Sequence, residues 1–369
     1  MTNPKVAIVH KSYLKRGGAE RVLEVMADLV PDADIYFLFG SKKKILSTFP
    51  DRKVYFSFLQ KIPFIKKLNK VLFFLWPVAA ESLDLSGYDL VISSSSDVAK
   101  GVVTNYPTKH LCYMYSPMRY LWDQKDLYLE RYSVLRKIIL LPLLTKLRIW
   151  DVFANSRIDY LVTISDFVSQ RISKYYDRIA DQVIYPPVNL SKFMSLKKES
   201  AGNYFLALSP FEENKGGVDI VKLALRNNIK LRVTGIGALY KRCKKLARGN
   251  KNIEFLGWVS EEEKIELLRH AKGLLFLGVE DFGIAAVEAI AAGLPVFAYK
   301  AGGAHEIVIN EVNGILCNTL KPQELDTVLK GFTERRWDRK TMFDSVKHFD
   351  ESIFREKFGK LIQQNLQED

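Results

Sequence analysis

Short apolar runs rich in β-branched and aromatic residues alternate with helical patterns, and this alternation occurs twice along the chain of 369 residues. Parallel strands buried on both faces give such runs, with a helix between one strand and the next. The first series of predicted strands comprises residues 6–9, 34–38, 89–92, 110–113 and 160–164. The second series comprises residues 204–208, 231–234, 253–256, 273–277 and 295–298. The sequence therefore predicts an α/β protein with two Rossmann-like, doubly wound domains facing a cleft.

Two consecutive prolines, Pro186 and Pro187, separate the two series of strands. They stiffen the chain and fit neither a helix interior nor a central strand, so we place the domain boundary between them. Residues 1–186 are predicted as the N-terminal domain and residues 187–345 as the C-terminal domain. Residues 346–369 have apolar side chains at mixed three-to-five spacing and are predicted as a C-terminal helix that returns to the N-terminal domain.

The three cysteines, Cys112, Cys243 and Cys317, occur singly and lack the close pairing of zinc sites and redox motifs. This usage fits a reducing compartment. The N-terminal residues lack a charged start followed by an apolar stretch, so no signal peptide is predicted. No run reaches the ~18 apolar residues of a spanning helix. We expect a cytoplasmic protein.

Basic residues are concentrated in two stretches of a chain whose formal net charge is +13. Residues 42–70 contain nine Lys or Arg against one acid, and residues 131–150 contain five against none, with apolar side chains between them. Such segments suit the surface of an anionic bilayer, and we expect peripheral contact at the inner face of the membrane. The alternative is core helices with solvated basic faces. Nucleic acid is not expected as a partner, because no recognition motif accompanies the charge.

The segment 278–296 has the pattern of a binding loop. A strand ends near Leu277, and a helix begins at Gly283 to Ile284 and ends at Gly293. Open α/β sheets bind ligands at the carboxyl ends of their strands, and the amides of a helix start accept anionic groups. Glu280 in the loop and Glu288 one turn into the helix are expected to point the same way. Helix capping or solvation of the two carboxylates is the alternative.

This segment resembles the Glu, seven residues, Glu motif of the family-4 retaining glycosyltransferases with the GT-B architecture. The resemblance implies that Glu280 contacts the hydroxyls of the donor sugar and that Glu288 binds the ribose of the nucleotide. It implies that the amides of the helix start hold sugar and phosphate. The positions that match the motif are Phe282, Gly283 and Ile284, and the exposed amide of Ala285 in the same helix start is a further candidate to bind an anionic group. The C-terminal domain then binds the nucleotide-sugar donor, and the N-terminal domain lies on the acceptor side.

A second similarity lies in residues 209–216, where the family has Arg, four residues, Lys to clamp the leaving diphosphate. Lys215 matches the lysine, whereas Pro210 stands at the position of the arginine. A solvated lysine before a helix is the alternative. In the N-terminal domain, Gly17 and Gly18 precede a helix, and the resemblance implies that this loop contacts the donor phosphates or the acceptor. Without it, the pair is interpreted as an ordinary loop.

Residues 113–123 are similar to the branch of the family that contains the lipopolysaccharide O-antigen mannosyltransferases. Tyr115 stands where that branch has a histidine near the reacting centre, so we assign Tyr115 a candidate catalytic role beside Glu280 and Lys215. A buried aromatic side chain at a strand end is the alternative. Arg119 is predicted to bind substrate phosphate or to pair with Asp123.

The resemblance implies transfer of a sugar from a nucleotide-sugar, GDP-mannose as first guess, to a lipid-linked saccharide in surface polysaccharide or lipopolysaccharide assembly. The acceptor hydroxyl displaces the nucleoside diphosphate through an oxocarbenium-like state, with retention of configuration. No metal and no cofactor are expected. Two alternatives remain open: a soluble glycosyltransferase acting on a small acceptor, and a non-catalytic binding protein with the same fold.

Overall fold

The structure is a computed structural model that describes residues 4–69, 71–130, 132–194 and 202–367. Lys70 and Arg131, which belong to the basic stretches, lie outside the described residues. The chain divides into two compact units, Met1–Pro186 with Phe354–Asp369, and Pro187–Ile353. One division falls between the two prolines. The other falls before Phe354, eight residues later than the predicted position 346.

The first unit contains a parallel sheet, with seven strands among the described residues in the order β3-β2-β1-β4-β5-β6-β7. The strands are β1 (Val6–Tyr13), β2 (Asp34–Gly40), β3 (Val54–Phe56), β4 (Leu90–Ser95), β5 (Lys109–Met114), β6 (Tyr160–Thr163) and β7 (Gln182–Val183). Val9 of β1 pairs with Tyr36 of β2 on one side and with Ser93 of β4 on the other. The strand order reverses between β1 and β4, so the loops that follow these two strands diverge there.

Helices cover this sheet and account for its buried apolar faces. They are α1 (Gly18–Leu29), α2 (Lys42–Thr48), α3 (Ile65–Leu68), α4 (Trp76–Glu81), α5 (Lys125–Leu129), α6 (Val134–Ser156) and α7 (Asp166–Tyr176). The C-terminal part of the chain also packs here. Phe354 and Phe358 both meet the ring of Tyr113 at a centroid distance of 5.6 Å, and both phenylalanines are buried. These contacts explain why the last residues join the first unit.

The second unit contains a parallel sheet of six strands within its described residues, in the order β10-β9-β8-β11-β12-β13. The strands are β8 (Phe205–Leu208), β9 (Leu231–Thr234), β10 (Ile253–Gly257), β11 (Gly273–Phe276), β12 (Val296–Tyr299) and β13 (Gly314–Cys317). The helices are α8 (Ser191–Met194), α9 (Gly217–Arg226), α10 (Tyr240–Ala247), α11 (Glu261–His270), α12 (Ile284–Ala291), α13 (Ala304–Ile307), α14 (Pro322–Glu334), α15 (Arg339–Asp344) and α16 (Glu351–Gln367), which continues into the first unit.

The order of the second sheet also reverses, between β8 and β11. The loops after β8, β11 and β12 therefore leave the same edge of three neighbouring strands, and this is the edge at which open α/β sheets bind ligands. The two doubly wound α/β units predicted from the sequence are confirmed. All ten predicted strands are present, and three short strands, β3, β7 and β13, were not predicted.

Candidate functional site

Three loops of the second unit pack backbone against backbone at the carboxyl edge of its sheet. The Val279 amide donates to the Asn214 carbonyl at 2.7 Å, and the Gly303 amide donates to the Glu280 carbonyl at 2.8 Å. A Cβ atom on Gly278 would lie 2.5 Å from the Cα of Lys215, and one on Gly302 would lie 2.3 Å from the Glu280 carbonyl oxygen. Only glycine permits such close approach, so these residues fix the loop that presents Glu280.

Lys215 and Glu280 are brought together at this edge. The Lys215 Nζ lies 3.4 Å from the Glu280 Oε2, and the side chains keep 29% and 21% of their surface exposed. Lys215 ends a short 3-10 helix, Glu213–Lys215, and Glu280 follows β11. A partly exposed pair of opposite charge can exchange its internal contact for a ligand, because water already screens part of its attraction. Lys215 and Glu280, which the family resemblance assigns to the diphosphate and to the donor sugar, therefore lie next to each other.

The start of α12 supplies amide groups beside this pair. Gly283 precedes the helix with a φ of 124°, a conformation that favours glycine, and the helix runs over Ile284–Ala291. The N–H groups of a first helical turn, here including those of Ile284 and Ala285, have no partner inside the helix and suit an anionic group. Phe282 is buried, and its ring packs against Phe349 at a centroid distance of 5.3 Å. The predicted helix start is confirmed.

Glu288 lies in the second turn of α12 and forms a contact that the sequence analysis missed. Both of its carboxylate oxygens accept from the Lys264 Nζ at 2.8 Å, and the residues are only 5% and 9% exposed. Lys264 lies on α11 and also pairs with Glu261 at 3.1 Å. In the sequence, Lys264 follows three glutamates, a pattern typical of a solvated helix face. Lys264 is buried because it contacts α12, a helix that lies elsewhere in the sequence. The residues around Lys264 in the sequence do not indicate this contact.

Pro210, at the position where the resembled family has an arginine, is buried in the loop after β8. A Cβ atom on Gly217, the first residue of α9, would lie 2.3 Å from the Pro210 carbonyl oxygen. The proline thus belongs to the packed base of the loop. Its ring has no hydrogen-bond donor to offer an anion.

In the first unit, Gly17 and Gly18 follow β1 at the reversal of the strand order. The Glu20 carboxylate folds back to accept from the Gly17 amide at 2.9 Å, and burial raises the pKa of Glu20. Gly18, the first residue of α1, is exposed. The chain leaves the sheet here at the point where its strand order diverges, and ligand binding by this loop stays a prediction.

Tyr115 supports this glycine loop from inside the unit. It is 8% exposed, and its hydroxyl contacts the Ser94 Oγ at 2.8 Å and donates to the Ala19 carbonyl at 3.2 Å. Ser94 in turn contacts the Nδ1 of His10 at 2.9 Å. Burial lowers the pKa of His10 to about 4, so the ring is neutral at pH 7. The Tyr115 hydroxyl is engaged within the first unit, which corresponds to the buried-aromatic alternative.

The last residues of the 113–123 motif form ion pairs and hydrogen bonds with neighbouring helices. Asp123 pairs with Arg171 at 2.9 Å, and Arg119 is partly exposed. The Trp122 Nε1 donates to Asp151 at 2.8 Å, and Asp151 also pairs with the buried Lys100 at 2.8 Å. The motif thereby connects the segment after β5 to α6 and α7.

A large part of α6 is exposed although it is apolar. Val134, Leu135, Ile138 and Ile139 are between 61% and 73% exposed. No helix in the described ranges is long and apolar enough to span a membrane. Among the same residues, no group of three or more His, Cys, Asp or Glu is arranged to hold a metal ion.

Comparisons with known proteins agree with this architecture. The two parallel-sheet units have the fold of GT-B glycosyltransferases: Anabaena HepE in complex with UDP-glucose matches with a TM-score of 0.68 over 98% of this chain and 99% of that chain, at 17% identity. Residues 191–344 match the family model described as glycosyl transferases group 1. That segment contains Lys215, Lys264, Glu280 and Glu288.

Sequence relatives lie in the same class. An uncharacterized glycosyltransferase of Methanocaldococcus jannaschii is 30% identical over 209 residues, which cover 56% of this chain and 58% of that protein. The alpha-1,3/1,6-mannosyltransferase ALG2 of Saccharomyces cerevisiae is 24% identical over 262 residues, or 57% of this chain and 51% of that protein. The chain thus spans between half and three fifths of the length of these relatives.

Proposed function

We propose that the protein is a glycosyltransferase that moves a sugar from a nucleotide-sugar donor to a saccharide acceptor. The observation that carries this proposal is the pairing of Lys215 and Glu280, 3.4 Å apart, at the carboxyl edge of the second sheet. The start of α12 lies directly after Glu280 in the same loop. A cation, a carboxylate and a helix N-terminus side by side suit a ligand that combines phosphate groups with sugar hydroxyls.

In the proposed reaction, an acceptor hydroxyl attacks the anomeric carbon, and the bond from that carbon to the nucleoside diphosphate breaks. Lys215 and the first-turn amides of α12 stabilise the negative charge that develops on the departing diphosphate. Glu280 accepts hydrogen bonds from the donor sugar, and Glu288 accepts from the ribose. In the first unit, the loop at Gly17 and Gly18 is proposed to contact substrate, with Arg119 as a further phosphate contact and Tyr115 as a positioning residue for that loop.

For the donor we propose GDP-mannose first. The similarity to a yeast protein named alpha-1,3/1,6-mannosyltransferase supports mannose. Anabaena HepE, which shares the fold, was solved with UDP-glucose, so a UDP-linked hexose is the second candidate. We further propose that configuration is retained and that no metal is needed.

A transfer assay tests the proposal. Purified protein is incubated with GDP-mannose or UDP-glucose and lipid-linked saccharides, and the nucleoside diphosphate released and the product formed are both quantified. Wild type is expected to form product with one donor and to retain activity in EDTA, with an α product from an α-linked donor by NMR. Glu280→Gln is expected to lose most of this activity. Equal turnover by Glu280→Gln would contradict the proposed site, and absence of turnover with every donor would favour a non-catalytic binding protein.

For the acceptor we propose a lipid-linked saccharide reached from the inner surface of an anionic membrane. The exposed residues Val134, Leu135, Ile138 and Ile139 of α6 surround Arg136, which is also exposed. Apolar side chains at the level of the headgroups, with a cation beside them, fit an anionic bilayer, where each nearby Lys or Arg adds about 1 kcal/mol.

The other basic stretch covers the same core cluster as α6. Phe64 and Val71 are 76% and 66% exposed, with the exposed Lys66 and Lys67 between them. The inward residues of both stretches, including Leu59, Ile65, Leu144 and Leu147, belong to one hydrophobic cluster. Shared packing places both stretches on one region of the first unit, so their apolar and basic side chains can act on one lipid surface.

Vesicle co-sedimentation tests the membrane proposal. We expect the full chain to bind vesicles that contain phosphatidylglycerol, and to bind phosphatidylcholine vesicles weakly. The double variant Ile138→Glu/Ile139→Glu is expected to lose binding, whereas Ile236→Glu, a change at a 69% exposed residue of the second unit, is the matched control. If the double variant instead converts a dimer into a monomer and leaves vesicle binding unchanged, the α6 surface binds a second copy and the membrane proposal is wrong.

A further inference from the structure

The ion pair between Lys264 and Glu288 is the most buried contact of opposite charges described in the second unit near the proposed donor site. The Lys264 Nζ lies 2.8 Å from each Glu288 oxygen and 3.1 Å from the Glu261 Oε2. The Lys264 side chain is 11% exposed and the Glu288 side chain 7%. One ammonium group thus holds both oxygens of a carboxylate that lies one turn into α12.

Such a pair contributes little to stability on its own. Removing two charges from water costs several kcal/mol per ion, and well-packed apolar residues of similar volume are often as stable or more stable. The helix that carries Lys264 has a well-formed start without the pair, because α11 begins with a capping box between Ser260 and Glu263. Folding alone therefore gives no strong reason for a buried lysine at this position.

The pair has a clear consequence for ligand binding. A buried carboxylate without a cation takes up a proton, and a protonated carboxyl group loses capacity to accept hydrogen bonds from hydroxyl groups. An unneutralised carboxylate would also repel the diphosphate of the same ligand. A cation fixed on both oxygens counters both effects, and a carboxylate has about four acceptor sites in all, more than the two that the Lys264 ammonium uses.

We propose that Lys264 is a positioning residue that holds the Glu288 carboxylate in the orientation in which it accepts hydrogen bonds from the ribose of the donor nucleotide. The inference rests on the proposed function, because it assigns a supporting residue to the ribose contact of that site. Lys264 touches no substrate. It sets how strongly the site distinguishes ribose from deoxyribose.

The test compares dissociation constants of ribo-, 2′-deoxy- and 3′-deoxynucleoside diphosphates by calorimetry, using the base that wild type binds best. Wild type is expected to prefer the ribonucleotide over at least one deoxy form by about tenfold, equivalent to about 1.4 kcal/mol. Lys264→Met is expected to weaken ribonucleotide binding about tenfold and to leave deoxynucleotide binding nearly unchanged, so the preference disappears. Lys264→Arg is expected to recover part of the preference.

A further readout separates positioning from a general loss of structure. In Lys264→Met, the KM for the donor is expected to rise, with kcat at saturation nearly unchanged. Glu261→Gln removes the more exposed carboxylate and is the matched control, with affinity and preference as in wild type.

The outcomes of this test distinguish the role of Lys264 from the proposed glycosyltransferase function. If Lys264→Met melts as wild type does and keeps the ribose preference, or if both forms of nucleotide weaken equally, Lys264 has no role in reading the ribose and the inference is wrong. If wild type binds no nucleoside diphosphate, both the inference and the proposed function are wrong.

Discussion

Replacement of Lys215 by methionine is expected to reduce kcat/KM about a thousandfold. Methionine keeps most of the length of the lysine side chain and removes its charge. Loss of one preorganised donor to developing charge costs about 3 kcal/mol in comparable sites, which is 10²- to 10³-fold. The change also leaves the Glu280 carboxylate, now 3.4 Å from the ammonium, unopposed beside a diphosphate.

The size of that second effect follows from the exposure of the pair. Two charges 4 Å apart interact by about 1 kcal/mol in water and about 4 kcal/mol at an effective dielectric constant of 20. Because both side chains are partly exposed, we take the lower end, about 1 kcal/mol, which is about fivefold in nucleotide affinity. Adding Glu280→Gln to Lys215→Met should therefore restore nucleotide affinity without restoring turnover.

Steady-state kinetics and calorimetry on both variants check this reasoning. Lys222→Met, which removes an exposed lysine from α9, is the control and is expected to behave as wild type. A loss of less than tenfold in Lys215→Met would refute the assignment of Lys215 to the leaving diphosphate. If adding Glu280→Gln to Lys215→Met leaves the nucleotide affinity unchanged, repulsion between the Glu280 carboxylate and the diphosphate is refuted.

Three other predictions concern stability and local geometry. Asp151→Ala leaves a buried lysine without its carboxylate and is expected to lower the free energy of unfolding by about 3–5 kcal/mol, measured by urea denaturation. Gly302→Ala places a Cβ atom 2.3 Å from the Glu280 carbonyl oxygen and should weaken nucleotide binding. Gly331→Ala, with open space around it in α14, should leave nucleotide binding unchanged and raise the free energy of unfolding by about 0.5–1 kcal/mol. Equal nucleotide affinity of the two variants would contradict the loop packing. Burial lowers the pKa of His10 and His110 to about 4, below the 6.5 of the unfolded chain, so the unfolded state binds more protons between these values. Stability should therefore fall as the pH drops from about 6.5 to 4, by up to about 3 kcal/mol per histidine, and a flat profile in pH-dependent denaturation would contradict this.

The central strands were predictable because their residues are apolar on both faces. The strand β11 is a continuous run of buried, mostly apolar residues, Gly273–Phe276, and such a run can be recognised without knowing its neighbours. The three strands that were missed, Val54–Phe56, Gln182–Val183 and Gly314–Cys317, are short and lie at sheet edges. Each has only two to four residues, which are too few to show a recognisable strand pattern. Such a short strand forms because the rest of the fold supplies a partner strand.

The site was predictable where one short segment contains its residues. Glu280 and Glu288 lie in one strand-loop-helix segment with seven residues between them, and glycine positions mark the loops that must approach closely. Lys264 was not predictable, because only the tertiary contact with α12 turns a lysine in a charged run into a buried one. For Tyr115 the sequence left two interpretations open, and the choice depends on Ser94, which lies on another strand.

Nucleotide binding by the second unit is the central claim, and melting temperature against a panel of nucleoside diphosphates tests it most directly. GDP, UDP, ADP and dTDP are each added to the purified full chain, and the melting temperatures of wild type and Lys215→Met are compared. A nucleotide at about 100 times its dissociation constant adds about 2.7 kcal/mol of stability. We expect a clear upward shift with one ribonucleotide, GDP first, and a smaller shift at the same concentration in Lys215→Met. No shift with any of the four, or an equal shift in the variant, would contradict the account.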